Sequence, residues 1–154
     1  MDNIDKVGGY EPIRAQAAII DTNFAKTVAT VRTRLTIAEV NAGYTLIAAP
    51  GSGKKIRLVN ARAIAYGGAA GAVTTVDLKG TQSGSLVKLV AFAQANLTQS
   101  TVLTAGGTGA AVLADGASFV ACDENKAITI DITGSSVTTA TGIDFIVEYV
   151  TETV

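Results

Sequence analysis

The chain has 154 residues, of which 48% are hydrophobic but only 5% aromatic and 16% charged, so Ala, Val, Ile and Leu carry the apolar weight. Twelve Lys and Arg against thirteen Asp and Glu leave a net charge of -1, without the basic excess of a phosphate-binding surface, which argues against nucleic acid as a partner. With no His, no Trp and a single Cys, the commonest routes to proton transfer, to clustered metal ligation and to an intramolecular disulfide are closed.

A chain of this length most simply makes one domain, burying roughly 68 to 70% of the surface its unfolded form exposes without a metal or disulfide staple. Its apolar stretches are interrupted well short of the eighteen or so residues of a membrane span, and Met1-Asp2-Asn3-Ile4-Asp5 is too acidic for a secretory leader. The expectation is synthesis in a cytoplasm, with no membrane and no cofactor.

Residues 1–26 scatter charges around the isolated apolar residues Ile4, Val7, Tyr10 and Ile13, with Gly8-Gly9 and Pro12 between them. They read as an extended N-terminal arm, although residues 12–20 also fit a short helix with Pro early in it, and both readings stay open. The remainder, 27–154, is expected to be a β-sandwich domain. Residues 27–34 alternate imperfectly as a strand. Thr36-Ile37-Ala38-Glu39 has capping-box spacing and Gly43 suits a left-handed stop, so a helical turn is expected between strands.

From there the period becomes two. Strict alternation puts Ile56, Leu58, Asn60, Arg62, Ile64 and Tyr66 on one face, with Arg57, Val59, Ala61, Ala63 and Ala65 on the other. Further strands are expected over residues 73–79, 86–95, 118–122, 127–133 and 143–151. Eight or nine short strands in all predict an all-β fold, a β-sandwich of jelly-roll type. The glycine-rich stretches 67–73 and 106–112 echo one another as turn tips, and shared low complexity accounts for that.

The motifs that could carry chemistry are weak. Pro50-Gly51-Ser52-Gly53-Lys54-Lys55 imitates a phosphate loop, but Ala48 stands where the first Gly belongs, Lys55 replaces the Ser or Thr, and a strand follows in place of a helix. Ser83-Gly84 is half a nucleophile elbow without a base. Asp77, Asp115, Asp123, Glu124, Asp131, Asp144 and Glu148 could supply a glycosidase pair, but most fall on polar strand faces or in turns, where solvated surface is the better account. Asp123-Glu124-Asn125 offers only part of a calcium shell and reads as a turn. Asn96-Leu97-Thr98 matches a glycosylation acceptor that lacks a secretory context. Cys122, in an apolar-leaning run, reads as a buried small hydrophobe. Arg32, Arg34, Lys54, Lys55, Arg57 and Arg62 could converge on one side of a sheet, as a solvated face or as a contact with an acidic protein.

Four segments are similar to a known group: Leu35-Thr36-Ile37-Ala38-Glu39-Val40-Asn41-Ala42-Gly43, Ala49-Pro50-Gly51 with Lys54-Lys55-Ile56-Arg57-Leu58-Val59, Ile64-Ala65-Tyr66-Gly67-Gly68, and Ala114-Asp115-Gly116-Ala117-Ser118-Phe119. From about residue 35 to the end the chain resembles the small head-associated structural proteins of tailed bacteriophages, of the decoration or cement type. The resemblance implies a jelly-roll or related sandwich on the capsid exterior, often a homotrimer, bridging neighbouring major capsid protein subunits. It brings no catalytic residues. The arm lies outside it, and contact through Ile4, Tyr10, Pro12, Ile13 and Arg14, together with Lys54, Lys55 and Arg57, is the expectation for partner binding. The scarcity of oxidisable Met, Trp and Cys suits a particle that persists without repair. Two rivals are a tail or head fibre module that binds a host-surface receptor, disfavoured by the scarcity of aromatic platforms, and a carboxylate enzyme acting on cell-wall sugar.

Overall fold

The structure, a computed structural model, describes residues 28–105, 112–113 and 120–154. The expected arm with Ile4, Tyr10, Pro12, Ile13 and Arg14, and the alternative helix over 12–20, lie outside these residues.

The first strand, β1 (Ala29–Thr36), alternates cleanly, with Leu35 buried and Thr30, Arg32, Arg34 and Thr36 exposed. The capping box then turns the chain into α1 (Ile37–Ala42). The Thr36 hydroxyl accepts from the Glu39 amide at 3.3 Å, and the Glu39 carboxylate accepts from the Thr36 amide at 2.8 Å. Gly43, at φ 81°, ends the helix. Buried Val40 holds α1 to the core, and Asn41 both donates to and accepts from the Val137 backbone.

The remaining described strands are β2 (Tyr44–Ile47), β3 (Lys54–Tyr66), β4 (Gly71–Gln82), β5 (Ser85–Ala93), β6 (Leu103–Thr104), β7 (Val112–Leu113), β8 (Ile128–Thr138) and β9 (Gly142–Thr153), with a 3-10 turn at Gln94–Asn96. They form two antiparallel sheets, ordered β1-β9-β3-β6 and β2-β8-β4-β5-β7. Strands far apart in sequence therefore pair, β1 with β9 and β2 with β8, while β3 pairs with β6 and β4 with β5. The all-β expectation holds, and nine strands are present among the described residues.

The core lies between the sheets. Ile56, Leu58, Ile143, Phe145 and Val147 come from one sheet, and Val76, Leu78, Val90, Phe92, Ile128 and Ile130 from the other. Phe92 and Phe145 meet across the gap with ring centroids 6.3 Å apart and planes tilted by 52°. Ala61, Ala63 and Ala65 on β3 leave room for them, and Phe145 lies in register with Ala63.

Three expectations are corrected. Strict alternation along β3 fails because the register with β9 shifts between Leu58 and Asn60. Before the bulge Ile56 and Leu58 are buried; after it Ala61, Ala63 and Ala65 are buried, and Arg62 and Ile64 turn outward. The Asn60 side-chain oxygen accepts from the Ala61 amide at 2.9 Å at this kink. The strand expected over 118–122 is absent from its described part, 120–122. There Cys122 donates its amide to Ile56 of one sheet and Asp123 donates to Thr81 of the other, so consecutive amides are committed to different sheets and no ladder forms. Finally, Asp77 is not on a solvated face but completely buried.

Candidate interaction surfaces

The outer face of the four-stranded sheet gathers most of the cations singled out in the sequence. Cross-strand register sets Arg34 against Asp144, Arg32 and Arg62 against Ile146 from either side, and Lys55 against Glu152. Three arginines are bound within the sheet. Arg34 grips Asp144 with two bonds, Nε to Oδ1 at 2.6 Å and Nη2 to Oδ2 at 2.7 Å, and its guanidinium lies 4.2 Å over the Tyr66 ring. Arg57 holds Glu152 the same way at 2.5 and 3.1 Å, and Arg62 stands 3.9 Å from Glu148. The Arg34 and Arg57 hydrogen bonds pull the Asp144 and Glu152 carboxyls below their ordinary range, and the two arginines are raised in turn.

Of the three described residues expected at a partner contact, Lys55 and Arg57 share this face, whereas Lys54 belongs to the opposite one. Lys54 lines a groove of about 380 Å³ at the end of the sandwich with Ile47, Pro50, Tyr149 and Thr151. The six cations thus do not converge as a set. Arg57 is spent on Glu152. Arg32 is the exposed arginine for which no ion pair forms among the described residues.

The outer face of the five-stranded sheet holds a second charged group. Asp77 Oδ2 accepts from Thr133 Oγ1 at 2.6 Å and lies 3.2 Å from Lys88 Nζ, while its Oδ1 is buried without a hydrogen-bond partner. Asp131 is in register with Asp77 and binds Lys79 at 2.6 Å, a bond that pulls the Asp131 carboxyl down. Alternation already put Asp77 and Lys79 on one polar strand face. The partners from β5 and β8 and the depth of burial had no signal in the sequence.

The loops at one end are tied by side-chain oxygens. Asp123 accepts the amides of Ser83 and Gly84 at 2.9 and 2.8 Å, Glu124 accepts the Gly53 amide at 2.5 Å and the Ser52 hydroxyl at 3.3 Å, and Asn125 accepts the Gly51 amide at 3.0 Å. Amides of the turn that imitates a phosphate loop are therefore already committed to the protein's own side chains. Ser83, at φ 51°, sits in the β4–β5 turn. Cys122 is buried, and desolvation pushes its thiol up, away from the reactive thiolate.

Among the described residues no three His, Cys, Asp or Glu side chains gather where they could hold a metal ion, and no helix is long and apolar enough to cross a membrane. Compared with known proteins, the chain matches no family model, no curated protein and no solved structure.

Proposed function

We propose that this chain is a non-enzymatic virion structural protein with a jelly-roll fold that binds the exterior of a phage capsid and stabilises it by bridging major capsid protein subunits. The observation that carries the proposal is the strand order. Setting aside the two-residue β7, the eight other strands pair first with last, second with next to last, and so inward: β1 with β9, β2 with β8, β3 with β6, β4 with β5. A long antiparallel ribbon rolled on itself has this order, and viral capsid proteins are among the frequent users of such rolls. The step from fold to role is analogy, supported by the resemblance in segments from residue 35 onward. A homotrimer is part of the proposal, since closed symmetry places several identical contacts on one shell site and multiplies their strength.

The test is the number of copies per particle, by quantitative mass spectrometry of purified virions of the source phage. Hundreds of copies tracking the major capsid protein are expected. A handful would assign the chain to a tail, vertex or fibre, and absence from the particle would refute a virion role. Sedimentation of the purified 15.6 kDa chain reads the trimer directly.

A further inference from the structure

We propose that the edge of β1 away from β9 takes up an extended, acidic segment of a partner protein as an added strand. Among the described residues four strands stand at sheet edges, and three are short: β2 has four residues, and β6 and β7 have two each. Short edges are one of the ways sheets avoid unwanted pairing. β1 differs. It offers eight residues in unbroken register, without proline or bulge, and among the described residues β9 alone pairs with it. Among the described residues one side of its backbone therefore has no strand partner and offers a row of donors and acceptors suited to strand addition.

The charge on that edge selects the occupant. The outward side chains are Thr30, Arg32, Arg34 and Thr36, with no acid among them. On the paired side, β9 answers Arg34 with Asp144, but it sets Ile146 opposite Arg32, which leaves that cation exposed at the rim. An added strand with Asp or Glu on its outward side would face Arg32 as Asp144 faces Arg34.

A second copy of β1 fits poorly. The two longest antiparallel self-pairings that keep both faces aligned set Arg32 against its twin, or Arg32 against Arg34, and like charges directly opposite destabilise a sheet. The edge thus rejects its own copy and favours a foreign acidic strand, a combination that gives specificity by repulsion as well as attraction. The site does not depend on whether the partner belongs to a capsid.

The probe is a fluorescein-labelled peptide of alternating Glu and Thr, matched to the eight residues of β1, beside a counterpart of alternating Lys and Thr. With the full chain at low salt, fluorescence anisotropy should show the Glu/Thr peptide binding about tenfold or more tightly than the Lys/Thr one. Hydrogen exchange should slow within residues 29–36. Arg32 is exposed, so Arg32→Glu leaves the fold intact by circular dichroism and should reverse the preference between the peptides. Equal binding of both peptides, an unchanged preference in the variant, protection elsewhere than β1, or no binding at millimolar peptide would each overturn the proposal. So would a dimer of the free protein that Arg32→Glu abolishes.

Discussion

Replacing Lys88 by Met should destabilise the protein far more than the loss of one half-exposed surface charge. Asp77 is wholly buried on β4, and Lys88 and Thr133 are the groups that hold its carboxylate. Removing one member of a buried ion pair costs about 3 to 5 kcal/mol, because the other charge stays behind without compensation. The Lys88 side chain is itself 35% exposed, so solvent already screens part of the pair, and about 2 to 3 kcal/mol is the expected loss. At about 2 to 4 °C per kcal/mol for a chain of this size, the melting temperature should fall by about 5 to 10 °C.

The loss depends on which partner remains. Replacing the whole group by apolar residues, Asp77→Val with Thr133→Val and Lys88→Met, removes the charge and the hydroxyl that would be left unsatisfied. It should return stability to within about 1 kcal/mol of the parent. Urea denaturation followed by circular dichroism measures both variants. A Lys88→Met variant as stable as the parent, or a triple variant no better than the single one, would refute the claim that Asp77 needs its partners.

Further expectations follow from the charges and the tight contacts. Asp144, Glu152 and Asp131 have folded-state pKa values below their unfolded ones. Their contributions are therefore complete above about pH 5 and drain away as pH falls through the folded values. Urea midpoints between pH 7 and 2 should decline less steeply in the variant Asp131→Asn/Asp144→Asn/Glu152→Gln; an identical slope would show that these pairs do not govern acid stability. At Gly142 a Cβ would fall on the Leu35 carbonyl oxygen of β1 and the Tyr66 ring, so Gly142→Ala should cost about 1 to 3 kcal/mol in thermal melts. At Gly80 the added carbon would lie 2.6 Å from Cys122 Sγ, so Gly80→Ala should destabilise similarly, and Cys122→Ala should recover part of the loss in a double-mutant cycle. Additive effects of those two changes would mean that the contact does not limit packing.

Local rules were legible from the chain alone. The alternation of Ile128, Ile130 and Ile132 with polar residues announced β8, and Val76 and Leu78 announced the core side of β4, because a strand that buries one face must repeat every second residue. The capping box at Thr36 and Glu39 and the glycine at 43 announced α1, since those groups satisfy the backbone within a single turn. Cys122 declared itself a core residue by its neighbours.

Cross-strand partners were not legible, because they are set by register between segments as far apart as Arg34 and Asp144, 110 positions away. That register converted the expected patch of free cations into pairs bound within the sheet and left Arg32 at the rim. One bulge at Leu58–Asn60 reversed the faces of β3, a change that a strict period of two cannot express. Burial of Asp77 and capture of the Gly53 amide by Glu124 likewise depended on elements meeting only after folding. Periodicity, being local, marked β1, β3, β4, β5, β8 and β9 as strands but not the short β2, β6 and β7. The tertiary structure decided their neighbours and which charges remain available to a partner, because both depend on contacts made only when distant strands align.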